Sequence, residues 1–404
     1  MNTFVCSNKF NKKKIIIAIL LLLFAILSTM NIEKFVCADN SYSDSDIETQ
    51  LSDSVNDIVS NIDLSQMEGI FDEINEFGII NSSLGDKLND ILNGKYFTDY
   101  KSIISGIFGL IFTDIRSILP MLFTIIAIGI LASMFINFGS EKQGVSDIVS
   151  FVFLGVIAVV VLVVFKNVFG ITNKSFGLIS KQMQIIFPIL ITLLTSIGSF
   201  SSISIYNPLV AVLTTIITYV FEKFLYPIFI VIFILTIMKC LTKTINLDKL
   251  TNFFNSLFKW SIGLIFTIFT GFLTIQGISA GKFDSISIKT TKFAMKSYIP
   301  IIGSYISDGM DFLILGSVLV KNAIGLIGVI IIFLTIITPI INILIYKFAL
   351  QLAGSVVDLS GNSKIADFLT NCSKILIMPI VLILGASLMY VITITLIMCT
   401  ANIF

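Results

Sequence analysis

Long uninterrupted runs of apolar residues fill most of the chain after about residue 103. Five runs of 18 to 24 residues have no internal charge: Ile118–Phe138, Ile148–Phe165, Trp260–Ile278, Ala323–Ile345 and Ile375–Met398. A helix of about 20 residues crosses the hydrocarbon core of a bilayer, so each run predicts a membrane-spanning helix. The pattern therefore predicts an all-α, polytopic transmembrane helical bundle over residues 103–404.

The stretch Ile185–Met238 is less regular than these runs. It contains Pro188, Pro208 and Pro227, and Glu222-Lys223 interrupts it near the middle. Two or three short or tilted helices fit this pattern, either lining a cavity or simply joined by proline turns. With these included, we expect about eight spans, and six to eight are possible.

Residues 39–102 show a different pattern, in which apolar residues recur every three or four positions among acidic ones. Three such stripes predict three amphipathic helices, and Ser65-x-x-Glu68 is a capping box at the start of the second. The residues of the first stripe are Ile47, Leu51, Val55, Ile58, Val59 and Ile62, those of the second are Leu64, Met67, Ile70, Phe71, Ile74 and Phe77, and those of the third are Leu84, Leu88, Ile91 and Leu92. The region is either a solvated external domain or a contact surface for another envelope protein. Because acidic side chains repel anionic lipid heads, we expect it to stand away from the bilayer.

Residues 1–38 have the arrangement of a signal peptide. Lys9 and Lys12–Lys14 precede the apolar run Ile15–Leu27, and Val36-Cys37-Ala38 offers small residues before a cut at Asp39. The alternative is an uncleaved anchor. In either case, residue 39 onward begins outside the cytoplasm.

Composition supports a membrane protein and argues against several kinds of catalytic and binding chemistry. Hydrophobic residues make up 56% of the chain and charged residues 13%, and the net charge of +1 divides into +4, −11 and +8 over residues 1–38, 39–101 and 102–404. With no His, the chain lacks the residues of histidine catalysis and of His-ligated zinc sites. The absence of C-x-x-C and of a phosphate-binding loop argues against a Cys-rich metal site and against ATP hydrolysis. We expect no enzyme activity, cofactor, metal or nucleic-acid partner.

Two Lys-rich segments conflict over orientation. Lys239–Lys259 and Gly281–Lys296 each carry four Lys and one Asp, so the positive-inside rule favours the cytoplasm for both. One span, Trp260–Ile278, separates them, and they cannot both be cytoplasmic if it crosses once. One explanation is that Ile288–Lys296 lies at the interface with its Lys side chains reaching toward water.

Several polar and small residues within the apolar region are candidates for packing or pore lining. Lys321 follows Asp308 and Asp311 and interrupts an apolar stretch too long for one span, which suggests a helix end or a re-entrant turn. It either extends its ammonium to the interface, pairs with one of the two aspartates, or faces a hydrated path. Gly277 and Gly281 form a GxxxG motif typical of close helix packing.

The remaining candidates include two further glycines and one amide side chain. Gly325 and Gly328 also favour close packing, and Gln276 either bonds across helices or lines a path. The complete candidate set is Gln276, Gly277, Gly281, Lys292, Pro300, Asp308, Asp311, Lys321, Asn322, Gly325 and Gly328.

The stretch Gly263–Val329 resembles the stage III sporulation protein AE family. The matching pieces are Gly271-Phe-Leu-Thr-Ile-Gln276-Gly277, Thr291-Lys292-Phe293, Ile299-Pro300-Ile301-Ile302-Gly303 and Lys321-Asn322-Ala-Ile-Gly325-Leu-Ile-Gly328-Val329. The resemblance implies a multi-pass protein of the mother-cell membrane around the forespore. It also implies that the partners are other stage III sporulation membrane proteins and a forespore-side partner, which together form a secretion-like channel complex. Membrane lipid is a further implied partner.

Two functions are consistent with these features. The first is a structural or permease-like component of such a channel complex, required for endospore formation. The second is a self-contained secondary transporter of the cytoplasmic membrane, motivated by the prolines and by Lys321 with Asp308 and Asp311.

Overall fold

A computed structural model describes residues 45–60, 62–75, 84–92, 100–138, 143–241, 247–298 and 303–400. Every secondary-structure element in these ranges is a helix, which confirms the all-α prediction. The predicted signal peptide, residues 1–38, lies outside the described residues.

The helices follow one another with short connections. In chain order they are α1 (Ser45–Ser60), α2 (Ser65–Asn75), α3 (Leu84–Leu92), α4 (Tyr100–Phe138), α5 (Gln143–Ile197), α6 (Phe200–Ile216), a π-helical segment (Ile217–Leu225), α7 (Tyr226–Leu241), α8 (Asp248–Tyr298), α9 (Gly303–Leu359), α10 (Ser363–Ile375) and α11 (Ile377–Cys399).

Six helical segments in the described ranges are long and apolar enough to cross a membrane. They are Ile111–Phe135, Ile148–Ile197, Tyr219–Cys240, Asp248–Leu273, Gly309–Leu359 and Ser363–Cys399. Each of the five apolar runs in the sequence lies within one helix or two consecutive ones. Six is the lower end of the expected range. The Ile185–Met238 region does contain the expected short helices, namely α6, the π-helical segment and α7, but together they give one segment long and apolar enough to cross, Tyr219–Cys240.

Of the three prolines in this region, Pro227 is the second residue of α7, whereas Pro188 and Pro208 do not end a helix. Pro188 lies inside α5 and Pro208 inside α6, whereas Glu222 and Lys223 lie in the π-helical segment. A proline removes one backbone hydrogen bond without necessarily ending a helix when its surroundings satisfy the freed carbonyl. The break occurs instead at Gly198, whose φ of 82° is readily available only to glycine.

Helix α9 is the centre of the bundle. It runs without interruption past Lys321, so the predicted helix end or re-entrant turn at that residue is wrong. It contacts α1 to α5, α8, α10 and α11. The segment that includes α10 and α11 is the most enclosed of the six, with 78% of its most apolar window buried inside the protein.

The acidic helices α1 to α3 pack against this bundle, and α2 also packs against α3. They contact α9, and α2 also contacts α5. Ile58 of α1 lies against Gly316 of α9, and Lys181 of α5 forms a 2.9 Å ion pair with Glu73 of α2. The apolar stripes read from the sequence are thus covered partly by the membrane domain.

The start of α2 is capped by a residue other than the predicted one. The hydroxyl and backbone N–H of Ser65 both donate to the carboxylate of Asp63. These bonds lower the pKa of Asp63. Their stabilisation of the helix start is present above the pKa that Asp63 has in the unfolded chain, and it is lost as the pH falls through the lower folded value.

The contact between α1 and α9 predicts a disulfide. A β-carbon added at Gly316 would lie 3.6 Å from the β-carbon of Ser54, within the range of disulfide geometry. In a chain whose native Cys are replaced by Ser, Ser54→Cys with Gly316→Cys should cross-link on mild oxidation of membranes. The bond is measured by mass spectrometry after the remaining thiols are alkylated.

The matched control is Ser54→Cys with Gly309→Cys, because a β-carbon at Gly309 meets nothing within 4 Å. Equal cross-linking of the two pairs would contradict the docking of α1 at Gly316.

Candidate functional site at the crossing of α9 and α11

Two glycines bring α9 and α11 close together. A β-carbon at Gly325 would lie 2.5 Å from Cγ of Met398. At Gly328 it would lie 3.0 Å from Cδ1 of Ile394 and 3.3 Å from the side chain of Ile186 on α5. Three helices therefore meet at a separation that larger residues would prevent, which is the packing that small residues permit in membrane proteins.

Lys321 lies one helical turn before Gly325 and is fully buried. Its ammonium donates a hydrogen bond to the backbone carbonyl of Thr400, just after the end of α11. The last carbonyls of a helix lack partners within the helix and carry partial negative charge. Lys321 thus places a cation where the end of α11 stabilises it.

Thr400 also joins α6 to this point. Its hydroxyl donates to the carbonyl of Leu396 at 2.8 Å and lies 2.6 Å from the hydroxyl of Tyr206. Because the threonine proton is used by Leu396, the tyrosine hydroxyl is the donor of the second bond. Tyr206 is 1% exposed, so Lys321, Thr400 and Tyr206 form a buried clamp that fixes α6, α9 and α11 together.

Two of the roles predicted for Lys321 differ from this arrangement. Its side chain is enclosed by protein rather than extended to an interface. Asp311 precedes it by ten residues of the same helix, about 15 Å along the axis, and Asp308 is a further turn away. A lysine side chain cannot cover that distance, so the proposed pairing with either aspartate is wrong.

Asp311 instead forms an ion pair with Lys292 of α8. This contact ties the end of α8 to the beginning of α9, on either side of the connection between them. Asn322, beside Lys321, is half-buried, and its Oδ1 has no hydrogen-bond partner among the described residues.

The other candidates cannot be placed in the same detail. Gln276, Gly277 and Gly281 lie within α8 and Asp308 lies within α9, but their side-chain surroundings are outside the described part. Pro300 belongs to residues 299–302, which also lie outside the described residues. The structure thus brings Lys321, Gly325 and Gly328 together against α11, and places Lys292 and Asp311 at a separate contact.

Sequence reasoning missed the partners of these residues. Thr400 is 79 positions from Lys321 and 194 from Tyr206. A buried lysine does predict an acceptor, but helix periodicity cannot say which distant segment supplies it. In the part of the chain that the structure describes, no group of three or more Cys, Asp or Glu could hold a metal ion.

Comparison with known proteins gives these features a context. A model of the stage III sporulation protein AE family matches residues 82–401, which include α3 to α11 and the whole α9–α11 crossing. The chain belongs to this family. It is 23% identical over 327 residues to the stage III sporulation protein AE of Bacillus subtilis (strain 168), covering 80% of this chain and 82% of that protein. No solved structure matches. The family assignment supports a role in sporulation, and the family match begins after α1 and α2.

The crossing predicts opposite effects for two glycine substitutions. Gly325→Ala should destabilise the protein by about 1–3 kcal/mol, because the added carbon collides with Met398. Gly263→Ala, on the exposed face of α8 with nothing within 4 Å, should be neutral or stabilise it by up to about 1 kcal/mol through helix propensity. Thermal unfolding in detergent measures both.

Shortening the opposing side chain provides a further control. Met398→Ala should partly restore the stability of Gly325→Ala, because it removes the atoms in conflict. Equal stability losses in the two glycine variants would contradict the close approach of α9 and α11.

Proposed function

We propose that this chain is an integral-membrane component of the channel complex between mother cell and forespore, with a structural or permease-like role. It resides in the mother-cell membrane around the forespore, and its partners are other stage III sporulation membrane proteins and a forespore-side protein. The family match over residues 82–401 is the observation that carries this proposal.

The arrangement of helix ends supports a definite orientation for such a component. Gly316, which contacts the acidic region, and Asp311, which pairs with Lys292 of α8, lie in the first part of α9. Helix α1 and the Gly281–Lys296 segment therefore lie toward the same end of the bundle. Asp248, the first residue of α8, lies toward the opposite end and pairs with Lys239.

The last part of α4 also lies toward this opposite end. Ser133 near the end of α4 is 2.7 Å from Ser360, just after α9, measured between their hydroxyl oxygens. If the signal peptide exports the acidic region, this end faces the cytoplasm. The Lys239–Lys259 segment then satisfies the positive-inside rule, while Lys292 on the outer side has Asp311 as a counter-ion.

The secondary-transporter alternative has less support. One of its two motivations is a cluster of Lys321, Asp308 and Asp311, and the continuous helix α9 separates the lysine from the two aspartates. The buried Lys321 side chain bonds to the carbonyl just after the end of α11, a contact that suits a fixed clamp.

The proposal predicts fewer heat-resistant spores when the protein is absent and when Lys321 is replaced. An endospore-forming host without its own copy should produce few heat-resistant spores, and the intact chain should restore them. Lys321→Met should restore far fewer, because it removes a charge-assisted hydrogen bond of about 1.5–3 kcal/mol at the α6–α9–α11 clamp. Lys249→Met on the exposed surface of α8 is the matched control.

Spore counts are compared at equal membrane levels of each variant, and purification from sporulating cells tests association with other stage III proteins. Normal sporulation without the protein would contradict the proposal. Solute movement by the purified chain alone in liposomes under an ion gradient would favour the transporter.

A further inference from the structure

A pocket between α2, α5 and α9 combines an apolar wall with a polar and charged rim. Its volume is about 210 Å³. The apolar wall consists of Ile171, Leu178, Leu334 and Pro339. An apolar wall with a few polar groups suits a ligand that is itself partly apolar and partly polar.

Three of the polar side chains at this pocket are already engaged. Glu73 of α2 forms its 2.9 Å ion pair with Lys181 of α5. The hydroxyls of Ser175 and Thr335 each donate to the carbonyl four residues earlier in their own helices, at 2.8 and 2.9 Å. These groups therefore contribute no unused hydrogen-bond donor.

The other three polar side chains are unused donors. Lys174, Thr338 and Asn342 line the pocket and form no hydrogen bond or ion pair with another described residue. An ammonium, a hydroxyl and an amide nitrogen can all donate to the oxygens of an anion. Because Lys181 offsets Glu73, Lys174 leaves this group of two lysines and one glutamate with a net charge of +1. Both the donors and the charge favour an anionic ligand.

The pocket lies beyond the end of an exposed apolar surface. Helix α5 exposes large apolar side chains within residues 148–163, and α9 does so within residues 348–359. On neither helix is a large apolar side chain exposed between these residues and the pocket. Exposed apolar surface on a membrane protein suits contact with lipid tails. The lipid-facing part of α5 and α9 therefore ends before the pocket.

Polar residues mark this limit on both helices. Lys166 and Asn167 follow the apolar face of α5, and Tyr346 and Lys347 border that of α9. Asn167 donates from Nδ2 to the hydroxyl of Tyr346 at 3.3 Å, so the two limits lie at one level. Lys and Tyr are typical of the boundary between lipid tails and water. Asn342 lies five residues beyond Lys347, about 8 Å along the helix, which is comparable to the headgroup layer of one leaflet.

We propose that this pocket binds the headgroup of an anionic phospholipid, with its phosphate held by Lys174, Thr338 and Asn342 and its adjoining apolar part against the wall. Basic pockets between membrane helices are a recurrent setting for such headgroups. A lipid seated here contacts α2, α5 and α9 at once, because all three line the pocket. The inference does not depend on the proposed channel-complex role.

Native mass spectrometry of the full chain, purified in detergent, tests the proposal. Phosphatidylglycerol and phosphatidylcholine are titrated separately, because their headgroups share a phosphate but differ in net charge. The intact chain should bind its first phosphatidylglycerol more tightly than its first phosphatidylcholine. Lys174→Gln should lower the affinity for phosphatidylglycerol by about tenfold or more, because it removes a charge-assisted hydrogen bond. Thr338→Val keeps the shape of the side chain and loses one neutral donor, so it should lower the affinity by about twofold to tenfold.

The matched control is Lys166→Gln, which removes the same charge from the exposed surface of α5 outside the pocket and should change the affinity by less than about twofold. Equal losses for Lys166→Gln and Lys174→Gln would show general charge attraction and overturn the pocket as the site. Failure of the intact chain to prefer phosphatidylglycerol would overturn the anionic class. Displacement of the bound lipid by an excess of inorganic phosphate would overturn a lipid occupant in favour of a free anion.

Discussion

The close approach of α9 and α11 constrains the rest of the structure. Gly325 and Gly328 allow the contact, and the bond from Lys321 to the carbonyl of Thr400 fixes how far α11 extends along α9. With α11 enclosed in this position, the other helices of the membrane domain arrange around the pair, and Tyr206 ties α6 to the same point. A buried ammonium is costly without an acceptor, so this position of α11 is strongly preferred over any slipped alternative.

The extent of the helices could be predicted only in part from the sequence. Apolar runs such as Ala323–Ile345 predicted where helices cross, because a bilayer demands a minimum length of apolar residues. They could not predict that α9 continues from Gly303 to Leu359, since charged residues such as Lys321 are tolerated when tertiary contacts satisfy them. Pro188 also misled, because α5 continues through it although a proline inside a helix removes one backbone hydrogen bond.

The sequence also could not predict which residues the candidate residues contact. Gly325 and Gly328 predicted close packing, but the residues they meet on α11 follow from the fold alone. The pairing of Lys292 with Asp311 similarly depends on α8 and α9 running back along each other. The same arrangement places the Lys239–Lys259 and Gly281–Lys296 segments toward opposite ends of α8. The two segments are then assigned to opposite sides of the membrane, and the question is which of them faces the cytoplasm.

The central claim is that the acidic helices and the Gly281–Lys296 segment face the outside, with the Lys239–Lys259 segment facing the cytoplasm. Fusions of paired reporters, one active only in the cytoplasm and one only outside it, measure this directly. Fusions after residues 142, 250 and 360 should report the cytoplasm, and those after residues 290 and 404 the outside. The same compartment reported after residues 250 and 290 would contradict the account.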